Sequence, residues 1–229
     1  MPPKPMPTHF LCIPLAGPQL ARSLADFRAD VTSATGFGIP VEAVRPLGTL
    51  HLTLGVMVLR DDALARAIDT VRGLRLADAL AAANPAGGAE RRPSVTLRGL
   101  HPMQAASRTS VLYAPPVDAD GVLFRFCQQL RKPFLDGGLM ADEGRPLLLH
   151  ATIVNTIYVK GRGGGGGGRG GKRERLTLDA RDMLSRYDDY VWMEDMPLDK
   201  VTLCRMGAKK VEGDKEGDEA YEVVAEVGF

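Results

Sequence analysis

Two tetrapeptides of one design, His51-Leu52-Thr53-Leu54 and His150-Ala151-Thr152-Ile153, recur in a chain that has only four histidines. Each lies inside an apolar, β-branched run, 50–59 and 147–159, so each reads as a strand with a buried face. Side chains alternate along a strand. His51 therefore shares a face with Thr53, and His150 with Thr152, while their apolar neighbours pack behind. What precedes each motif repeats as well. A strand over 9–15 and a helix over 19–34 lead to the first motif, and a strand over 109–114 and a helix over 120–135 lead to the second. This pattern predicts a pseudo-twofold α+β protein with a central cleft onto which both motifs face.

The 229 residues suit one domain or two lobes sharing a cleft, with hydrophobic content of 45%, enough for a sizeable core. Lys plus Arg (29) nearly balance Asp plus Glu (28), so any nucleic-acid site must be local rather than a basic face. Cys12, Cys127 and Cys204 are widely spaced and form no zinc or disulfide pattern, which fits a reduced compartment. No apolar run nears the roughly 20 residues of a membrane span, and the Pro-rich lead 1–7 has no signal core. The expectation is a soluble nuclear or cytoplasmic protein with a disordered lead and one bilobal domain over 8–229.

The other elements are read as follows. Asp61-Asp62 caps one long helix running to about Ala83, and 94–100 forms a strand pair with 109–114. A short helix over 179–187 is capped by Asp179, and strands over 198–206 and 221–227 flank a turn at 213–217. The stretch 161–175 reads as a flexible surface insertion, with nine glycines and two arginines over 161–171. Its Arg-Gly-Gly triplets imitate loose RNA-binding segments, although a bland linker expansion is the better reading. Gly166 to Arg173 approximates a phosphate loop but lacks the Ser or Thr that such a loop needs after its lysine, so a nucleotide triphosphatase is rejected.

Breaking a phosphodiester requires one group to take a proton from the attacking hydroxyl or water and another to protonate the departing oxygen. Two imidazoles in opposite protonation states do both near neutral pH. Thr53 and Thr152 are placed to donate hydrogen bonds to the phosphoryl oxygens. Tyr158 shares the strand parity of His150 and reads either as a base-stacking residue at the cleft edge or as a sheet aromatic filling a lobe. His9 and His101 lack the following threonine and are left out of the site. Arg60, Arg145 and Lys160 stand just outside the motif strands, where they can meet phosphates or simply face water. Tyr113 and Trp192 read as core or partner-surface residues.

Thr8 to Leu11 with Ile13-Pro14-Leu15, Leu50 to Gly55, Val111 to Ala114 and Leu149 to Thr156 resemble the two-histidine (2H) phosphoesterase superfamily. Within it the chain is most similar to the branch that holds the kinase-anchoring protein 7 central domain and the phosphodiesterase-like domain of activating signal cointegrator 1 complex subunit 1. The second motif and Asp179 to Leu184 are closer to the latter. The resemblance implies a bilobal, LigT-like α+β fold: two antiparallel sheets around a cleft, with helices outside. It implies metal- and cofactor-independent chemistry on RNA or oligonucleotide ends by His51, Thr53, His150 and Thr152, on cyclic phosphates or on 3′-5′ or 2′-5′ linkages. The alternative it leaves open is a nucleotide- or RNA-binding subunit of a helicase-containing coactivator or repair complex with little turnover. The cointegrator subunit carries a KH module for which residues 1–7 leave no room, and the chain alone is expected to be monomeric.

Overall fold

In the computed structural model, which describes residues 5–85, 93–142, 144–159, 176–213 and 218–229, β-branched and aromatic runs pair while Ala- and Leu-rich stretches coil over them. The first half comprises β1 (His9–Pro14), α1 (Pro18–Thr32), β2 (His51–Met57), α2 (Asp62–Arg72), α3 (Leu76–Ala83) and β3 (Ser94–Arg98). The second comprises β4 (His101–Pro102), β5 (Val111–Ala114), α4 (Val122–Asp136), β6 (Ala151–Asn155), α5 (Arg181–Arg186) and β7 (Val191–Pro197). The chain closes with β8 (Lys200–Arg205), β9 (Lys209–Lys210), β10 (Glu219–Ala220) and β11 (Val223–Gly228).

Seven strands form one antiparallel sheet in the order β11-β8-β1-β2-β6-β5-β4. The expected α+β architecture with two antiparallel halves is present. β1–β2 belongs to one half and β5–β6 to the other, and the halves join edge to edge where β2 meets β6. One face of this sheet is the core. Leu11, Ile13, Leu52, Leu54, Leu112, Ala151 and Ile153 are all buried there beneath helical stripes, Leu20, Leu24, Phe27 and Val31 from α1 and Leu123, Phe126, Leu130 and Phe134 from α4. Each leucine, isoleucine, valine or phenylalanine among them contributes roughly 1.5–3 kcal/mol on leaving water. The other face carries the motif side chains beside a smaller buried cluster of Phe10, Cys12 and Cys204.

The structure corrects four expectations. The helix over 61–83 is broken at Gly73 to Arg75, because α2 packs on β8 and β11 whereas α3 turns to pack on α4. β3 pairs with β7, not with β5; its other edge is held by the segment after β5 through Val117 N–H to Thr96 O at 2.8 Å. The strand expected over 147–159 is only Ala151–Asn155. Asn155 Oδ1 accepts the Ile157 N–H at 3.1 Å and turns Thr156–Tyr158 into a single 3-10 turn. Asp179 stands one residue before the N-cap position, which Ala180 takes; its Oδ1 still accepts the Arg181 N–H at 3.3 Å, and its carboxylate forms an ion pair with the Arg181 guanidinium at 2.6 Å.

Met1 to Lys4 of the lead, the insertion 161–175 with Lys160, and 214–217 of the final turn lie outside the described residues. Among the described residues no helix is long and apolar enough to cross a membrane.

Candidate active site

The two motif strands meet at the middle of the sheet. Leu52 and Ala151, both fully buried, are the one registered pair between β2 and β6. Because they point into the core, the residues flanking them point to the opposite face. The same register carried one residue outward sets His51 across from Thr152 and Thr53 across from His150. The imidazoles take one diagonal of this square and the hydroxyls the other, and all four side chains are half-buried. Diagonal neighbours across an antiparallel pair lie about 7–8 Å apart. A phosphoryl group accepting a hydrogen bond of roughly 2.8 Å on each side spans that gap.

Both strands carry a bulge immediately after the threonine. Cys12 pairs with Thr53 and Leu11 with Gly55, leaving Leu54 extra; Tyr113 pairs with Thr152 and Leu112 with Val154, leaving Ile153 extra. In each motif the fourth residue is therefore the inserted one, and both are fully buried. Bulges bend and twist a strand, and beyond the Leu52–Ala151 pair β2 and the segment before β6 separate. The opening is a hollow of about 700 Å³ whose lining includes Thr53, Val56, Arg145, Leu147, Leu148 and His150.

The two rings are oriented identically. Nδ1 of His51 lies 2.7 Å from Thr49 O, and Nδ1 of His150 lies 2.9 Å from Leu148 O, in each case the carbonyl two residues earlier. A carbonyl only accepts, so each Nδ1 carries a proton and donates it, leaving Nε2 to exchange protons with a ligand. Aromatic walls complete the setting. Phe10 (4.9 Å) and Tyr221 (5.4 Å, edge-on) flank His51, while Tyr113 (5.3 Å, edge-on) flanks His150 and is stacked by His101 at 5.8 Å. Burial pushes His51 down from 6.5 to about 4; the hydrogen bond to Thr49 opposes this, and the positive charges of His150 and Arg45 add to it. His51 is therefore neutral at pH 7, with a lone pair on Nε2.

Arg45 is the site residue that sequence reasoning missed. Val44 bridges Val154, and the Arg45 N–H donates to Ile153 O at 2.8 Å. Residues 46–50 loop out through the 3-10 turn Leu47–Thr49, so Arg45 and His51 stand side by side along the same edge of β6. The only local hint was a charge set in the apolar run Ala43-Val44-Arg45-Pro46. Tyr158 does reach this neighbourhood, though through the 3-10 turn and not by strand parity. It is 41% exposed, and the Arg45 guanidinium lies 3.7 Å from its ring centroid. The Tyr221 hydroxyl is beside both Arg45 and Tyr158, a role its place in the sequence did not signal.

Among the other candidates, Arg145 lines the hollow, Arg60 is exposed beyond β2, and Lys160 lies outside the described residues. His9 is buried against Thr8 Oγ1 at 2.8 Å, and His101 is exposed at the site margin. Trp192 is core, its Nε1–H donating to Gly99 O at 2.8 Å. Among the described residues no group of three His, Cys, Asp or Glu side chains is arranged to hold a metal ion.

Comparison with known proteins bears on this arrangement as a whole. An uncharacterized protein of Schizosaccharomyces pombe is 24% identical over 204 residues, 87% of this chain and 86% of its own length. The structure of E. coli LigT complexed with 3′-AMP is similar with a TM-score of 0.53 at 18% identity, covering 97% of this chain and 98% of LigT. The TT0787 protein of Thermus thermophilus is similar with a TM-score of 0.50 at 16% identity, covering 96% and 97% of the two chains. These structures share the fold. The model of the AKAP7 2′5′ RNA ligase-like domain matches residues 7–229, nearly the whole chain, and the protein belongs to that family, in the AKAP7-like branch of the 2H phosphoesterase superfamily.

Proposed function

We propose that this protein is a phosphodiesterase acting on RNA or oligonucleotide ends by two-histidine acid–base catalysis. The observation that carries the reading is the matched pair of rings, each with Nδ1 tied to the carbonyl two residues back and both on one phosphate-sized face with a threonine beside each. His51, neutral at pH 7, takes the proton of the attacking hydroxyl or water at Nε2 as the new P–O bond forms. His150 gives its Nε2 proton to the oxygen whose bond to phosphorus breaks. Thr53 and Thr152 donate to the non-bridging oxygens as charge grows on them. Each proton transfer supplies about a hundred- to ten-thousand-fold, and the rest of the acceleration comes from positioning on stiff strands. Both proton transfers in this scheme are assigned to protein groups, so they call for no metal-bound water.

The nucleotide ligands of the LigT structures, 3′-AMP and ATP, support a nucleotide substrate. The open face of Tyr158 offers a base a stacking platform, and the hollow beside His150 has room for the neighbouring unit. The test is turnover of 2′,3′-cyclic, 3′-5′ and 2′-5′ substrates in EDTA by the wild type, His51→Ala and His150→Ala. Turnover that survives EDTA and falls about a thousandfold or more in both variants is expected. Full activity in either variant refutes the assignment. Binding without turnover on the whole panel moves the reading to a nucleotide-binding subunit.

A further inference from the structure

A buried guanidinium with a free nitrogen is costly unless a charged acceptor comes to meet it. Arg45 is 4% exposed, and its Nη2 has no hydrogen-bond partner among the described residues. The acid facing it is Glu219 of β10, whose Oε2 stands 3.8 Å away, beyond hydrogen-bond length. The backbone pins Arg45 in place. Its N–H donates to Ile153 O at 2.8 Å, one residue past Thr152, and its carbonyl accepts from Arg28 Nη2 at 3.3 Å. A planar cation is thus stacked on Tyr158 at 3.7 Å, with the Tyr221 hydroxyl beside it, one guanidinium nitrogen without a hydrogen bond among the described residues, and a place next to His51 along β6.

We propose that Arg45 is the anion-binding residue of this site: Nη2 takes a non-bridging oxygen of the substrate phosphate, and Glu219 is a placeholder that the phosphate displaces. The proposal rests on the two-histidine reading and adds what neither threonine supplies, a full positive charge to neutralise the phosphate. The guanidinium fork matches phosphate oxygens in a way that the point charge of a lysine does not. Tyr158 then works on both faces, holding the guanidinium on one and taking a base on the other. The ligand class is a nucleotide whose phosphate is read by Arg45 and whose base is read by Tyr158; an uncharged nucleoside engages the ring alone.

The placeholder role separates this proposal from an ordinary structural ion pair. Glu219 competes with the incoming phosphate, so removing its charge tightens nucleotide binding. Disrupting a structural pair instead weakens the site from either side.

The experiment is calorimetric titration of the intact chain with 3′-AMP and with adenosine at pH 7 and fixed ionic strength. It compares the wild type with Arg45→Lys, Arg45→Gln and Glu219→Gln, each confirmed as folded by the emission of Trp192. Both Arg45 variants are expected to weaken 3′-AMP binding about tenfold or more. Glu219→Gln is expected to tighten it about two- to fivefold, and adenosine binding stays constant throughout. Unchanged 3′-AMP affinity in both Arg45 variants overturns the proposal, as does weakening by Glu219→Gln or a wild type that binds 3′-AMP no better than adenosine. Turnover is scored separately. A wild type that binds 3′-AMP through Arg45 yet cleaves no phosphodiester leaves Arg45 its role and removes the catalytic reading.

Discussion

His51 offers a quantitative test, because its environment ties catalysis to stability. Burial holds its pKa at about 4 in the folded protein, against 6.5 in an unfolded chain. As pH falls through 6.5, the unfolded chain takes up a proton that the folded protein refuses until about 4. The unfolded state therefore binds more protons in this window, and stability is lost as pH drops from 6.5 to 4, levelling off below. At about 1.4 kcal/mol per pH unit, the full gap is worth about 3 kcal/mol. His9, also lowered by burial, and the carboxylates titrate in the same range, so the comparison must be a difference between proteins. His51→Asn keeps an amide N–H for the Thr49 carbonyl and removes the titration. Urea unfolding at pH 7.5, 6, 5 and 4 can be followed through Trp192, the only tryptophan and fully buried. The wild type is expected to lose about 3 kcal/mol more than His51→Asn over that range. A gap between the two that stays constant from pH 7.5 to 4 refutes the reasoning, and so does a His51 proton resonance that titrates near 6.5.

The same environment places the acid limb of kcat/KM for the free enzyme near pH 4, not at the ordinary histidine value; a pH–rate profile checks this. Leu52→Ala, at the pair that sets both motifs in register, is expected to cost about 2–5 kcal/mol in urea unfolding, whereas the exposed Val56→Ala changes stability by less than about 0.5 kcal/mol. Tyr187 is buried and its hydroxyl donates to Asp30 Oδ2 at 2.6 Å. Tyr187→Phe is therefore expected to lower the unfolding free energy by about 1.5–3 kcal/mol while kcat/KM stays at the wild-type value. Gly99 has φ +78°, and a Cβ there meets Asp188 O at 2.6 Å, so Gly99→Ala should lower the unfolding free energy by more than the roughly 1–2 kcal/mol of the left-handed conformation alone.

The motifs, β1, β2, α1, α4, β8 and β11 were legible because their signal is local: alternation or a helical stripe within one segment. What was not legible depends on partners far along the chain. β3 carries ordinary strand alternation, and nothing within it reveals that β7 is its neighbour. β7 escaped notice because Glu194-Asp195 interrupts its apolar run where Asp195 takes a positive φ of 47° and the register slips. The break at Gly73 to Arg75 is dictated by α3 finding α4. Arg45 is the sharpest case. It joins the site only because residues 46–50 are excluded from the strand, a consequence of how β6 is paired and invisible in six residues of sequence. Tyr158 was assigned through strand parity that Asn155 abolishes, yet its ring reaches the site by way of Arg45.

The two halves of the site are equal in frame and unequal in surroundings, and under the proposed mechanism that inequality gives His51 the role of base. The bulge after each threonine and the clamp on each Nδ1 are duplicated, so both rings are held on one sheet face in the same way. His51 sits under Phe10 and Tyr221 beside the fixed charge of Arg45, while His150 opens onto the hollow. If a phosphate binds Arg45 as proposed, it offsets one of the charges that disfavour a proton on His51, which would raise the basicity of that ring as it accepts a proton.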